Sequence, residues 1–293
     1  MAAVLGQGIA EAAQEAVWHG ADTVYAADAA ALAHYQTLTY CGVMAQIAQQ
    51  AAPNILLIGM GAIGRELGPR LAFRLRTGLA SDCSDLRINP DTRLMEATRP
   101  VAGGNAMATL VIERTRPQMA TVRGKTTEPA VRDASRQGHV MAVEVTLDDA
   151  AGAVTLVERV KAEATSVRLE DAEIVISGGR GLQGSGDFYG VLEPCAKILR
   201  VAMGASRAAV DEGWVPNQMQ VGLTGKIISP KLYIACAISG AAQHMAGCGY
   251  AQTIVAVNRD PDAPIYQRAT LGVVGDYKKV IPAFQKKCAD LLK

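Results

Sequence analysis

Short apolar runs alternate along this chain with longer amphipathic ones, and most of the apolar runs end in glycine or a small polar residue. Asp22–Asp28 (DTVYAAD) and Asn54–Gly59 (NILLIG) are aliphatic stretches flanked by turn formers, which predicts two buried strands. Between them, Leu38–Ala51 has apolar residues at helical spacing. In Gly64–Thr77, Leu67, Leu71 and Leu75 fall four apart while arginines occupy much of the rest, the pattern of a helix with one face packed on a sheet. From Leu86 to Arg123 the pattern turns β-like, and its charge-alternating end, Val111–Arg123, predicts an exposed or partner-facing ribbon. Gly124–Gly138 is polar and predicts an extended surface segment. The pattern restarts near Leu169, where EIVISGG (Glu173–Gly179) predicts a buried strand running into a glycine turn. After Asp276, Val280, Phe284 and Cys288 share one stripe with Leu291 adjoining, while Lys278, Lys279, Lys286 and Lys287 face water, so the chain closes on a docked amphipathic helix. Pro282 is expected in its first turn, because in the interior it would cost ~3 kcal/mol.

Strand-like and helix-like segments in alternation predict an α/β fold with mainly parallel sheets. A chain of 293 residues is long enough for two such domains, expected at 1–168 and 169–293. The formal net charge of +1 argues against nucleic acid or an anionic membrane as the main partner. No apolar run approaches the ~20 residues of a membrane span, so no membrane insertion is expected. The Met1 end lacks the basic flank and continuous apolar stretch of a signal peptide, and the expected location is cytoplasmic. Cys41, Cys83, Cys195, Cys236, Cys248 and Cys288 form no CxxC pair and have no histidine at ligand spacing, which argues against a structural metal and fits a reducing compartment.

Two segments match the dinucleotide pattern GxGxxG. Gly59, Gly61 and Gly64 follow a strand and open a helix, with Asp82 and Asp85 at ribose-binding separation; taken alone they suggest an NAD-dependent oxidoreductase. Gly179, Gly181 and Gly184 follow EIVIS, where backbone N–H groups could receive a diphosphate beside Arg180. QVGLTGK is no ATP-binding P-loop, since Ile227 follows Lys226 where that loop needs Ser or Thr. In AISGAAQHMAG, Ser239, Gly240 and Ala241 place small residues and free N–H groups at a helix start, with Gln243 and His244 one turn in. Ser206 is a natural helix cap before Arg207, and Asn258 and Asp276 end their strands on the edge where parallel sheets bind ligands.

GRELGPRLAFRLRTG (64–78), GASRAAVDEGW (204–214), QVGLTGK (220–226) and AISGAAQHMAG (237–247) resemble segments of the electron transfer flavoprotein alpha-subunit, or FixB-like, family, and the likeness covers most of the chain. It implies a Rossmann-like (DHS-like) second domain that binds one FAD, and a first domain without nucleotide whose glycines serve close packing. It implies that Arg207 lies against the isoalloxazine, where its charge favours one-electron reduction. Thr224 would donate to flavin N5 and His244 to the C2 carbonyl, with Val221, Gly222 and Leu223 beside them. Ser239, Gly240 and Ala241 would face the phosphates, with Arg180 near, and Ser206, Ala242 and Gln243 would be among the cofactor-binding residues; Asn258 and Asp276 would face the adenosine with Tyr277 adjoining.

The implied protein is an electron carrier in heterodimer with a beta subunit. It would pass single electrons from a dehydrogenase, such as an acyl-CoA dehydrogenase, to a quinone reductase or other acceptor. Leu223 stands where most relatives carry Gln, Ala237 where many carry Gly, and ATLG (269–272) where they have ADYG. Met1–Asp28 aligns in character with the family's second strand and helix, so its opening strand and helix are expected to be missing and the first domain less stable. Two other classes stay open: the NAD-dependent oxidoreductase, and a flavin-free scaffold paralogue that keeps the fold without the cofactor contacts.

Overall fold

The computed structural model describes residues 1–102, 106–147, 151, 154–159 and 168–291. The chain forms two compact units, one of Met1–Arg99 with Ala108–Lys161 and the other of Pro100–Met107 with Ala162–Lys293. The boundary expected at 168/169 adjoins residues 160–167, which lie outside the described residues.

The first unit opens with β1 (Ala2–Gly6), α1 (Ala10–Trp18), β2 (Thr23–Asp28), α2 (Thr37–Ala51), β3 (Ile55–Gly59) and α3 (Ala62–Arg74). It continues with β4 (Leu79–Cys83), β5 (Asp85–Ile88), β6 (Met95–Val101), β7 (Ala106–Val111), β8 (Gln118–Val122) and β9 (His139–Ala142). Three sheets result: parallel β1-β2-β9, parallel β3-β8-β4, and β5-β6-β7 with β5 and β6 antiparallel. The strands expected at 22–28 and 54–59 and the helix expected at 38–51 are present as β2, β3 and α2. Helix α3 starts at Ala62, two residues before the expected start, and Leu67 and Leu71 are buried against Cys41, Ala45 and Met119. A Cβ on Gly64 would lie 1.9 Å from the Gly59 carbonyl oxygen, so only glycine lets this helix turn off the strand so tightly. Strands β1 and β3 each end their sheet, and Ala2, Ala3 and Leu5 with Ile55–Ile58 wall an apolar cavity of about 450 Å³ floored by Met44, Ile47 and Ala48.

The second unit runs β10 (Ile174–Gly178), a helical stretch with α4 (Ser185–Asp187), a π-turn (Phe188–Leu192) and α5 (Glu193–Leu199), then β11 (Ala202–Ala205) and α6 (Arg207–Asp211). β12 (Leu232–Cys236), α7 (Ala242–Cys248), β13 (Thr253–Asn258), β14 (Leu271–Val274) and α8 (Tyr277–Leu291) complete it. Its five strands are all parallel, in the order β11-β10-β12-β13-β14. Counted within the unit this is 2-1-3-4-5, the flavodoxin-like doubly wound order, whose ligand crevice lies at the C-terminal strand ends where the order reverses, here between β10 and β12.

The alternation of strand side chains builds two separate cores. Val175, Tyr233, Ala235, Ile254 and Ala256 pack with Met245 and Cys248 of α7. Ile176, Ile234, Cys236 and Val257 pack with Phe188, Leu192, Ala209 and Ile281 on the other face. Both faces being covered explains why these strands read as continuous apolar runs.

Helix α8 departs from expectation in two respects. Pro282 is its sixth residue, in the second turn rather than the first. It lies on the exposed side, and the N–H it lacks would have bonded one carbonyl of a two-ended, well-docked helix. The buried residues are Tyr277 and Ile281, whereas Phe284 is 38% exposed, so the docked face is rotated by about one residue from the expected stripe.

No two of the six cysteines are bonded to each other, and five are buried. Burial pushes the Cys195 thiol up to about 11 and Cys248 up to about 12, so both stay protonated at neutral pH. Among the described residues no helix is long and apolar enough to cross a membrane.

Candidate functional site

A cleft of about 710 Å³ opens at the C-terminal ends of β10, β11, β12 and β13. Its walls are Gly179–Gly181 after β10, Ser206 and Arg207 after β11, Ala237–Ser239 after β12, Asn258 after β13, and Gln220–Thr224 facing Gln243 and His244 of α7. The volume is that of a pocket for a cofactor-sized molecule.

The loop Gln220–Lys226 is locked onto α7 by backbone bonds. Leu223 N donates to Gln243 O at 2.8 Å and Ile228 N to Gly247 O at 2.7 Å, while Gly222 N closes on Lys226 O at 3.1 Å. Gly222 has φ +147°, which glycine adopts without strain. Leu223 is thus held by its backbone, and its side chain is 53% exposed. Gln220, buried at the loop's start, donates from Nε2 to Thr224 Oγ1 at 2.9 Å. The Thr224 hydroxyl therefore has its acceptor side occupied and its own proton free for a ligand. Nothing in the sequence pattern singled out Gln220; the usable signal was its four-residue spacing to Thr224 across a glycine turn.

His244 is 7% exposed, and its Nε2 lies 2.8 Å from the Tyr233 hydroxyl. Burial lowers its pKa to about 4, so the ring is neutral at pH 7. Its Nδ1 is buried without a hydrogen-bond partner, and the nearby Val221 backbone acts on the pKa in the opposite direction to burial. Ser206 caps α6, its hydroxyl accepting from Ala209 N at 3.4 Å. Arg207 and Arg180 are exposed side chains on the cleft wall, and Arg207 Nε rests 3.3 Å from Asp211 Oδ2 one turn along.

The glycine turn after β10 serves the fold before any ligand. Gly179 N donates to Cys236 O, Gly181 N to Ala237 O, Leu182 N to Gly179 O and Gln183 N to Arg180 O, so these four donors of the turn are spent within the fold. A Cβ on Gly179 would lie 2.1 Å from the Ala237 oxygen, which makes close strand approach the reason for this glycine. Ala237 itself has φ +53°, so the departure from glycine at this position puts an alanine in the left-handed region, at about 1 kcal/mol. The N–H groups of Ser239, Gly240, Ala241, Ala242 and Gln243 donate to nothing among the described residues. Gly240 (φ +84°) packs its Cα against Ile265, holding that run of donors in place.

Gly240, Ala242, Asp276 and Tyr277 are named by the sequence but do not line the cleft. Asp276 caps α8 by accepting from Lys278 N at 2.9 Å. The buried Tyr277 hydroxyl reaches Asp187 Oδ2 at 2.8 Å and Leu182 O at 3.0 Å, tying α8 to the glycine turn; burial and the Asp187 carboxylate push its pKa up to about 12. Asn258 lines the cleft, but its amide is committed, donating to Ile238 O and accepting from Asp260 N, each at 3.0 Å.

The other GxGxxG segment is differently used. Asp82, the candidate ribose ligand, holds Arg123 bidentately, Nε to Oδ1 at 2.5 Å and Nη2 to Oδ2 at 2.6 Å. Arg123 is 5% and Asp82 17% exposed along their side chains, so the pair belongs to the interior of the first unit. Asp82→Ala is expected to destabilise that unit by ~2–3 kcal/mol, seen as an earlier unfolding transition, with cofactor binding in the second unit unchanged. A loss of nicotinamide nucleotide binding without loss of stability would contradict this.

A doubly wound domain with a cofactor-sized cleft at its switch point, unspent backbone donors, and a buried unpartnered histidine nitrogen is the site of a nucleotide-cofactor protein. Comparison with known families gives the particular one. Residues 1–148 match the electron transfer flavoprotein domain and residues 168–249 the electron transfer flavoprotein FAD-binding domain. An electron transfer flavoprotein subunit alpha of Megasphaera elsdenii is 43% identical over 282 residues, 96% of this chain and 83% of the relative. Protein FixB of Clostridium saccharobutylicum is 41% identical over 99% of this chain and 86% of its own length. An acryloyl-CoA reductase electron transfer subunit beta of Anaerotignum propionicum is 37% identical over 95% of this chain and 83% of its own length. The chain belongs to the electron transfer flavoprotein alpha-subunit family, and it is a flavin-binding electron transfer subunit.

Proposed function

We propose that the flavin is a single noncovalent FAD in the cleft of the second unit, and that the chain works in the cytoplasm as a heterodimer with an electron transfer flavoprotein beta subunit. The observation that carries this is the conjunction, on one cleft, of His244 with its orphaned Nδ1 and the undonated N–H groups of Ser239, Ala241 and Gln243. A flavin ring needs a few placed donors, a diphosphate needs several convergent N–H groups, and both demands are met here. When bound, the flavin supplies the redox chemistry, taking up and releasing electrons one at a time.

The chain's own residues hold and tune it. Thr224 presents its hydroxyl proton from a loop braced by Gln220, and His244 presents a neutral ring from α7. Arg207, swung from Asp211, sets a fixed positive charge beside the ring, and Arg180 adds one near the diphosphate. The β13 end beside Asn258 takes the adenosine half, while Asp276 and Tyr277 support that wall from behind through α8. No side chain is required as nucleophile or general base. The relative that serves an acryloyl-CoA reductase supports an enzyme of acyl-CoA oxidation or reduction as redox partner, with a quinone reductase or other carrier downstream.

Co-purification of the chain with its beta subunit, followed by absorbance and identification of the released flavin, tests the assignment. One FAD per cleft is expected; FMN alone, or no flavin under reconstituting conditions, would sink it. Arg207→Ala is expected to move the first one-electron potential negative by roughly 60 mV, about tenfold in relative affinity for the reduced ring. An unchanged potential in a redox titration would remove Arg207 from this role.

A further inference from the structure

Tyr233 is the second residue of β12, 0% exposed, with its hydroxyl 2.8 Å from Nε2 of His244. We propose that Tyr233 is a positioning residue that fixes His244 in one tautomer, with the proton on Nδ1, so that the ring offers an N–H donor to the flavin. This rests on the reading that the cleft holds a flavin.

A tyrosine hydroxyl has one proton to donate, and Nε2 is the acceptor in bonding geometry with it among the described residues. Ser177 and Cys248 flank the hydroxyl, but Ser177 Oγ makes no hydrogen bond of its own and Cys248 Sγ is turned to the His244 carbonyl at 3.5 Å. Burial keeps the imidazole neutral at pH 7, and a neutral ring has one N–H. With Nε2 accepting from Tyr233, that hydrogen sits on Nδ1. Nδ1 has no partner within the described residues, so its donor remains for the ligand. This is the arrangement by which an outer hydrogen bond selects which nitrogen of a histidine meets a ligand. Burial also holds the Tyr233 hydroxyl protonated far above neutral pH, so it stays a donor.

The test uses the full chain in complex with its beta subunit, labelled with ¹⁵N-histidine; multiple-bond ¹H–¹⁵N spectra distinguish the tautomers of the four histidines. Before flavin is added, His244 is expected to show a protonated Nδ1 and an unprotonated Nε2. In Tyr233→Phe that pattern is expected to give way to a tautomer mixture. With flavin bound, the preference for reduced over oxidised flavin is expected to fall roughly tenfold in Tyr233→Phe, by as much or more in His244→Asn, and no further in the double variant. A packing role alone would lower the unfolding temperature and leave both the spectra and the potential as they were. A protonated Nε2 in the wild-type spectrum overturns the proposal even if Tyr233→Phe fails to fold, as does a potential shift that persists undiminished in the His244→Asn background. Failure of the flavin reading would look different: the wild-type complex would retain no flavin while the tautomer pattern stood.

Discussion

Gly247→Ala is expected to strip the flavin from the protein and lower the stability of the second unit by ~2 kcal/mol. The added Cβ would lie 2.4 Å from both Cα and N of Gly222 and 2.8 Å from its carbonyl carbon. Those are backbone atoms, so no rotamer change relieves the clash. The loop cannot drift alone either, because Leu223 N is bonded to Gln243 O and Ile228 N to Gly247 O. Helix α7 and the loop must separate, carrying Thr224 and Gln220 away from His244. Alanine's better helix propensity recovers at most ~1 kcal/mol of this. Flavin affinity is expected to fall at least a hundredfold, because two separately placed donors lose their common geometry. Flavin-to-protein absorbance of the purified heterodimer and thermal unfolding measure the two effects; full flavin retention would show that the close contact between α7 and the loop is dispensable.

The second large effect concerns pH. His244 has a native pKa lowered to about 4 from an ordinary 6.5, because burial disfavours the imidazolium. Between those values the unfolded chain binds a proton that the native chain does not, so stability rises with pH there and is lost as pH falls from 6.5 towards 4. The full loss is ~3 kcal/mol, complete by about pH 4, where both states are protonated. Carboxylates with lowered pKa, such as Asp187 held by Lys278 and Tyr277, also release stability on acidification, but mostly at lower pH. The difference between wild type and His244→Asn isolates the histidine: the variant's stability should be flatter between pH 6.5 and 4. Parallel curves for the two proteins would mean that His244 titrates near its ordinary value.

Much of the second unit was legible before its structure. Strand EIVISGG, the helix starts after β11 and β12, and the cleft edge at Asn258 follow from apolar runs that end in small residues, a local pattern that any parallel sheet covered on both faces imposes. Tyr233 was not legible as anything but a strand residue, because period-two alternation places it on the same face as Ala235 and says nothing about which ring nitrogen waits one helix away. Gln220 was missed for a related reason: a polar residue at a loop edge reads as exposed, and here it is 5% exposed.

The two GxGxxG segments mark the limit most clearly. Their spacing is the same, yet each has a packing reason that no spacing shows: Gly64 lets a helix turn against its own strand, and Gly179 lets β10 approach the Ala237 carbonyl. Which backbone N–H groups remain free is a property of hydrogen-bond pairing across strands far apart in the chain, and no local pattern carries it. In α8 the amphipathic composition made a helix certain, while the docked face, Tyr277 and Ile281 in place of Phe284, was set by where Leu182 and Asp187 receive the tyrosine hydroxyl.

Residue order alone was therefore enough for the α/β class, the strands β2, β3 and β10 and the family to which the chain belongs, since each depends on spacing between near neighbours. The assignment of free and spent donors, the bracing of Thr224 by Gln220 and of His244 by Tyr233, and the capture of Asp82 by Arg123 came from the packed chain. Those depend on which distant groups meet in a water-poor interior, where an unpaired polar atom costs more than any local preference can offset.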